Sequence, residues 1–218
     1  MVTLLKRQRS PWGDLDAPWP TCFDLAWEAY RAGTIPVGAV VTDGDGRIVG
    51  RGRNRVHDLT APIGRICSSP LAHAEIDALL ALTPETRYED HTLWSSVEPC
   101  LLCMGATMTA AVGTVRWAAP DVYAGATSTV CENPHTARLS LGGGGPLPAP
   151  LGLVGAVLHL EPFVRVNPSG GVATANQQLA PAVHDATVRL VAAGSLPKAS
   201  SRRAPFSEVA DLILTALA

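Results

Sequence analysis

Residues 91–119, HTLWSSVEPCLLCMGATMTAAVGTVRWAA, decide the fold of this chain. HTLWSSV, residues 91–97, predicts a compact strand. Pro99 follows where a first helical turn tolerates proline, CLLCMGATMTAAV predicts a helix that Gly113 stops, and Thr114–Ala119 predicts a second strand. Upstream, LAHAEIDALLAL from Leu71 carries a helical pattern that Thr83-Pro84 ends, whereas residues 54–70 are irregular, broken by Pro62, Gly64 and Pro70. VGAVVTDGDGRIVGRG, residues 37–52, sets two short apolar runs around Asp43-Gly44-Asp45-Gly46 and predicts a β-hairpin. Before it, Thr21 and Asp24 are placed to cap a helix whose Phe23, Ala26, Trp27 and Tyr30 share a face, with Gly33 as its stop. The order helix, hairpin, helix, strand, helix, strand argues an α/β fold, one sheet covered on both faces.

Downstream, residues 119–133 read as a loop running into a helix. SLGGGGPLPAP, residues 140–150, is an excursion, and LGLVGAVLHL after it predicts a buried strand. Helices are expected over Thr174–Ala193 and Pro205–Leu217, joined by a basic surface loop at 195–203. We divide the chain into an N-terminal extension (1–19), a main domain (20–163, containing the 140–150 excursion) and a C-terminal helical extension (164–218).

With 47 % apolar and 17 % charged residues the chain has material for a core and is not an intrinsically disordered sequence. Its net charge of −2 supplies no global field toward nucleic acid or anionic lipid. The best apolar run, Leu151–Leu160, is about half of the ~20 residues that a membrane span needs, and the basic N-terminus lacks the apolar run of a secretory signal. A soluble, cytoplasmic protein without a membrane partner is expected. Five cysteines, an odd number without framework spacing, favour free thiols, so a specialised cysteine is a metal ligand or a redox group.

Two clusters carry chemistry: His73-Ala74-Glu75 at one predicted helix start and Pro99-Cys100-Leu101-Leu102-Cys103 at another. Residues three apart share a helical face, so Cys100 and Cys103 can aim both sulfurs at one point, and the helix N-terminus favours their thiolates. Alone, this Cys-x-x-Cys fits a thioredoxin-like redox site as well as a metal site. The upstream imidazole tips the balance to metal, because two thiolates and one His make the three-ligand set that leaves a tetrahedral zinc open to water. Glu75, on another side of its helix, is suited to act as base and then as acid. Arg51, Arg53 and Arg55 read as a solvated strand edge, and His57, His91, His135, His159 and His184 as surface or satisfied core residues.

The H-x-E and P-C-x-x-C clusters, with IPVGAVVTDGDGRIVGRGRNR from Ile35 and VEPCLLCMGA from Val97, resemble the cytidine and deoxycytidylate deaminase superfamily. Within it the chain is similar to the tRNA adenosine deaminase and guanine/nucleoside deaminase branch, over roughly residues 20–133. The resemblance implies a three-layer α/β/α fold around a mostly mixed five-stranded sheet, and hydrolytic deamination of a ring amine with Zn2+ as cofactor. It assigns His73, Cys100 and Cys103 as zinc ligands and Glu75 as proton shuttle. It also makes Asn54, Ala74 (through its backbone N–H) and Asp121 substrate contacts, and implies a homodimer. Trp94, upstream of the cysteines, is a further candidate to line the pocket.

Residues 56–72 differ from the short link of the tRNA enzymes, and the tail beyond 140 has no clear counterpart. A tRNA enzyme needs cationic surface, and this chain is slightly acidic. A nucleobase, nucleoside or nucleotide, purine slightly favoured, is therefore the expected substrate. The alternatives are tRNA adenosine deamination and, in another class, a non-catalytic zinc-stabilised interaction module.

Overall fold

The computed structural model of the chain describes residues 15, 18–84, 87–131 and 144–218. Trp12, His135 and residues 140–143 of the 140–150 excursion fall outside these residues. In chain order the elements are α1 (Pro18–Arg31), β1 (Gly38–Thr42), β2 (Ile48–Arg53), α2 (Ala74–Leu79), β3 (Thr92–Val97), α3 (Leu101–Thr109), β4 (Thr114–Ala119), α4 (Thr127–Cys131), α5 (Leu151–Val166), α6 (Gly171–Leu179), α7 (Pro181–Ala193), α8 (Ser195–Ser201) and α9 (Phe206–Leu217).

The strands form one mixed sheet in the order β2-β1-β3-β4. β1 pairs antiparallel with both β2 and β3, and β3 pairs in parallel with β4, the helix α3 returning the chain between them. The hairpin turns at Asp43, whose Oδ1 accepts from the N–H groups of Asp45 and Arg47, with Gly46 at φ +80°. The helices take opposite faces at close range. A Cβ on Gly38 would lie 2.1 Å from Cys22 O of α1, and one on Gly52 would lie 2.2 Å from Ala74 O of α2. α5 joins α1 on its face: a Cβ on Gly155 would lie 2.8 Å from Ser96 O and 3.3 Å from the Phe23 ring. This is the expected three-layer α/β/α arrangement.

Several expectations are corrected. Among the described residues the sheet has four strands, not five. Residues 144–147 run beside β4, where Gly144 N–H donates to Val115 O and Leu147 N–H to Ala118 O, but Pro146, Pro148 and Pro150 lack the donors to extend the ladder. LGLVGAVLHL is the start of helix α5, not a strand. Its buried Val154, Val157, Leu158, Glu161 and Val164 recur at helical spacing and seal the sheet. α1 begins at Pro18, a residue suited to a first turn, so Thr21 lies inside it rather than capping it. Gly33, at φ +80°, does end α1, but Ala111 at φ +57°, not Gly113, follows the end of α3. The helix expected over Thr174–Ala193 is two, because Pro181 restarts the chain as α7, and residues 195–201 of the expected loop form α8.

The tail is bound into the core rather than appended to it. Phe206 stacks on Phe23 with ring centroids 5.3 Å apart, and Trp27 Nε1–H donates to Ala204 O at 2.8 Å. Val209, Ala210 and Ile213 of α9 are fully buried. Withdrawing the Val209 and Ile213 side chains from water contributes about 1.5–3 kcal/mol each.

Candidate metal centre and active-site cavity

His73 is the N-cap of α2 and Cys100 the N-cap of α3, both with extended backbone, and neither side chain caps its own helix. Each side chain is free to turn toward the other helix, and Cys103 joins them from the first turn of α3. His73 Nδ1 lies 3.6 Å from Cys100 Sγ and 3.4 Å from Cys103 Sγ, and the two sulfurs are 3.7 Å apart. A tetrahedral zinc with bonds of about 2.3 Å to sulfur and about 2.0–2.1 Å to nitrogen requires about 3.8 Å between sulfurs and about 3.5 Å from sulfur to nitrogen. The donor set and its spacing fit zinc with one position left open, and among the described residues this is the His/Cys/carboxylate group close enough to hold a metal ion.

Without a cation, the Cys103 thiol beside Cys100 and the His73 imidazole pull the Cys100 pKa down to about 4. The Cys100 thiolate and burial push the Cys103 thiol up. Hydrogen bonding to Cys100 outweighs burial at His73 and raises its pKa. Two helix N-termini converge here, so their positive ends add to the stabilisation of anionic sulfur.

Glu75 is buried, its carboxyl pKa raised by loss of solvent. Ser95 Oγ donates to its Oε1 at 3.0 Å, and its Oε2 lies 3.3 Å from Cys103 Sγ. Ser95 was not anticipated from sequence. Strand alternation puts it on the α2 face of β3 and sends the neighbouring Trp94 to the other. There Trp94 packs edge-on against Trp19 at 5.1 Å, donates from Nε1 to Thr42 Oγ1 at 3.0 Å, and lies under the Arg116 guanidinium. Trp94 is thus not brought to the metal centre.

The centre opens into a cavity of about 240 Å³ whose wall includes Asn54, His73, Glu75, Cys100, Asp121 and His159. Asn54 is buried, and its Oδ1 accepts from Thr34 Oγ1 at 2.8 Å and Val56 N–H at 3.0 Å, leaving its amide nitrogen as the group to offer. Ala74 is the first residue of α2, where a backbone N–H has no intrahelical acceptor. Asp121 lines the cavity and folds its loop by accepting from the N–H groups of Tyr123 and Ala124. Glu98, also in the wall, holds this loop: its carboxylate accepts from Asp121 N–H and from Thr127 N–H and Oγ1–H. The tail closes the remaining side with His159 and Phe163 of α5 and Val172 of α6, and Tyr123 seats against Gly171. Glu98, next to the Pro-Cys pair, had a signal in its position. His159 had none, being distant in sequence and read as a bystander.

Arg51 is exposed on β2 as a solvated edge residue, but Arg53 and Arg55 are not. Arg53 is buried between Glu28 and Asp58, at 2.9 and 2.7 Å. Arg55 reaches Asp58 at 3.2 Å and Asp77 at 3.3 Å, and Asp77 also takes Arg65 at 3.2 Å. These pairs tie the irregular 54–70 segment to α2.

Residues 19–119 match the family model described as the cytidine and deoxycytidylate deaminase zinc-binding region. The tRNA(Ile)-lysidine synthase of Deinococcus deserti is 39 % identical over 121 residues, which is 54 % of this chain and 21 % of that protein. The tRNA-specific adenosine deaminase of Haemophilus influenzae is 35 % identical over 106 residues, covering 47 % of this chain and 57 % of that one. The chain thus spans from about a fifth to under three-fifths of the length of these relatives. A solved structure of guanine deaminase from Bacillus subtilis aligns with TM-score 0.40 at 32 % identity, covering 49 % of this chain and 66 % of that one. A matching zinc-binding region, and a His/Cys/Cys set spaced as zinc requires, agree: residues 19–119 of this chain match the zinc-binding region of the cytidine and deoxycytidylate deaminases.

Proposed function

We propose that the protein hydrolytically removes an exocyclic amine from the ring of a nucleobase, nucleoside or nucleotide, with purine slightly favoured. The observation that carries this reading is the placement of Glu75 beside three converging ligand atoms, in a cavity wide enough for a ring. His73, Cys100 and Cys103 would hold zinc, which supplies a Lewis acid with an open position for water. Glu75 takes a proton from the attacking water and gives it to the ring nitrogen. It then carries the second proton to the amine, which leaves as ammonia while the ring carbon keeps the oxygen. Ser95 keeps one carboxylate oxygen fixed, so the other does the carrying. The free N–H of Ala74 and the amide nitrogen of Asn54 are donors for the ring's acceptors or its substituent, and Asp121 is an acceptor at the mouth.

The test is ammonia release by zinc-loaded protein from a panel of bases, nucleosides, nucleotides and tRNA, with Glu75→Gln as control. Turnover that is lost in the variant while zinc is retained is the expected result. Silence across the panel would instead favour the interaction module, for which a buried proton carrier has no use.

A second reading, tRNA adenosine deamination, is favoured by the Haemophilus influenzae relative. Against it stand the net charge of −2 and the tail helices across one side of the cavity. Salt-dependent tRNA retardation would restore it. We assign a homodimer through the exposed Leu71, Leu101 and Leu102, to be checked by sedimentation. No described helix is long and apolar enough to cross a membrane.

A further inference from the structure

A second cavity of about 530 Å³ adjoins the metal centre, and Ile35, Phe163 and Val172 line both. We infer that this cavity receives the substituent of the reacting ring, and that the substrate is of the nucleoside class: a base carrying an uncharged, sugar-sized group. The inference rests on the deaminase reading and narrows it.

Size is the first ground. The inner cavity falls below the ~300–1,000 Å³ typical of pockets for drug-sized ligands, whereas the two joined fall inside that range. A free base would leave the outer space unfilled.

The outer lining supplies the second. Phe163 and Val172 offer an apolar floor with Val166 at the rim, while Thr34, His57 and Asn167 offer polar groups around it. That is the chemistry of a sugar, with C–H faces and a hydroxyl edge. The Thr34 hydroxyl also joins the two spaces, since it donates to Asn54 Oδ1 in the inner wall and accepts from His57 N–H at 3.2 Å.

Charge decides against a phosphate. Arg165 is the lining cation, and its Nε is already held by the buried Glu161 at 3.1 Å. Asp121 and Glu98 lie in the adjoining wall. A phosphate would meet a cation already paired with Glu161 and two carboxylates, and among the described lining residues there is no unpaired Lys or Arg to offset its desolvation.

The test compares guanine, guanosine and guanosine 5′-monophosphate, with the adenine and cytosine series beside them. Ammonia release gives kcat/KM, and calorimetry on zinc-loaded Glu75→Gln protein gives Kd without turnover. Val166, 76 % exposed on the rim, is replaced by Trp to fill the outer cavity, and Val188, exposed on α7 outside both linings, is replaced by Trp as control. For at least one ring, the nucleoside is expected to bind at least tenfold tighter than its base and its monophosphate. Val166→Trp should shrink the nucleoside-to-base ratio at least fivefold, and Val188→Trp should leave it unchanged. A base or monophosphate that binds as well as the nucleoside overturns the inference, as does a ratio unmoved by Val166→Trp or an absence of binding by every compound. Nucleoside-selective binding without turnover by the unaltered protein would instead overturn the deaminase reading alone.

Discussion

The Ser95 hydroxyl on β3 donates to Glu75 Oε1 on α2 across 3.0 Å, joining the middle of the sheet to the residue that handles protons. Ser95→Ala leaves a buried carboxylate oxygen without its donor, which costs about 1–3 kcal/mol of stability. Because the carboxylate is then free to swing, kcat is expected to fall about tenfold, within the range of a general acid–base contribution, with KM little changed. Steady-state kinetics and denaturant unfolding read both effects. A KM that rises while kcat holds would place Ser95 in binding instead.

Removal of the metal should be legible in stability. His73, Cys100 and Cys103 come from two helix starts, and an ion that binds only the folded arrangement stabilises it. Chelation is expected to lower Tm by several degrees and zinc to restore it, whereas Cys103→Ser should start low and respond to neither. An identical Tm with and without chelator would contradict the assignment.

Asp77 is buried with Arg55 and Arg65 on it and accepts from Arg53 N–H at 3.1 Å. Asp77→Ala should cost about 3–5 kcal/mol, since it strands partly buried cations. It should also make the 54–70 segment the first site of proteolysis. Urea unfolding and limited digestion test the two parts, and Asp77→Asn should lose less.

How much of this could be read from the chain depends on how far apart in sequence the partners lie. The hairpin was legible because Asp43–Gly46 is a local signal, and the ligand set because both clusters sit at helix starts that set their direction. α5 was misread because a ten-residue apolar run suits a buried strand or a buried helix equally; the deciding mark was the helical spacing continuing through Glu161 to Val164. Trp94 was misplaced by one residue of strand parity. The closure by His159, Phe163 and Val172 joins segments far apart in the chain, and no local pattern encodes it.

His159 faces the cavity, and burial outweighs the neighbouring Asp121 to hold its pKa below the ordinary 6.5. Between the folded value and 6.5 the unfolded chain binds the extra proton, so this residue makes stability fall as pH drops through that window, and it contributes no slope above it. His159→Gln should therefore flatten unfolding free energy against pH below 6.5, by at most about 1.4 kcal/mol per pH unit. A variant curve parallel to the parent's would rule this out.

Gly52 leaves 2.2 Å between a built Cβ and Ala74 O, too little for any side chain. Gly52→Ala must lift α2 from β2, and with it His73 and Glu75. Activity and zinc affinity are expected to drop together by tenfold or more, while Gly46→Ala, which strains only an exposed turn, should cost stability alone.

The tail's double engagement, its aromatic and apolar side chains against α1 and the sheet and its α5–α6 surface around the substrate space, couples shape selectivity to thermodynamic integrity. Drift in the last third of the chain would therefore retune what enters and weaken the body in the same stroke. Engineering a broader specificity would begin with the few rim positions, Val166 and Asn167 among them, that face solvent and carry little of the scaffold.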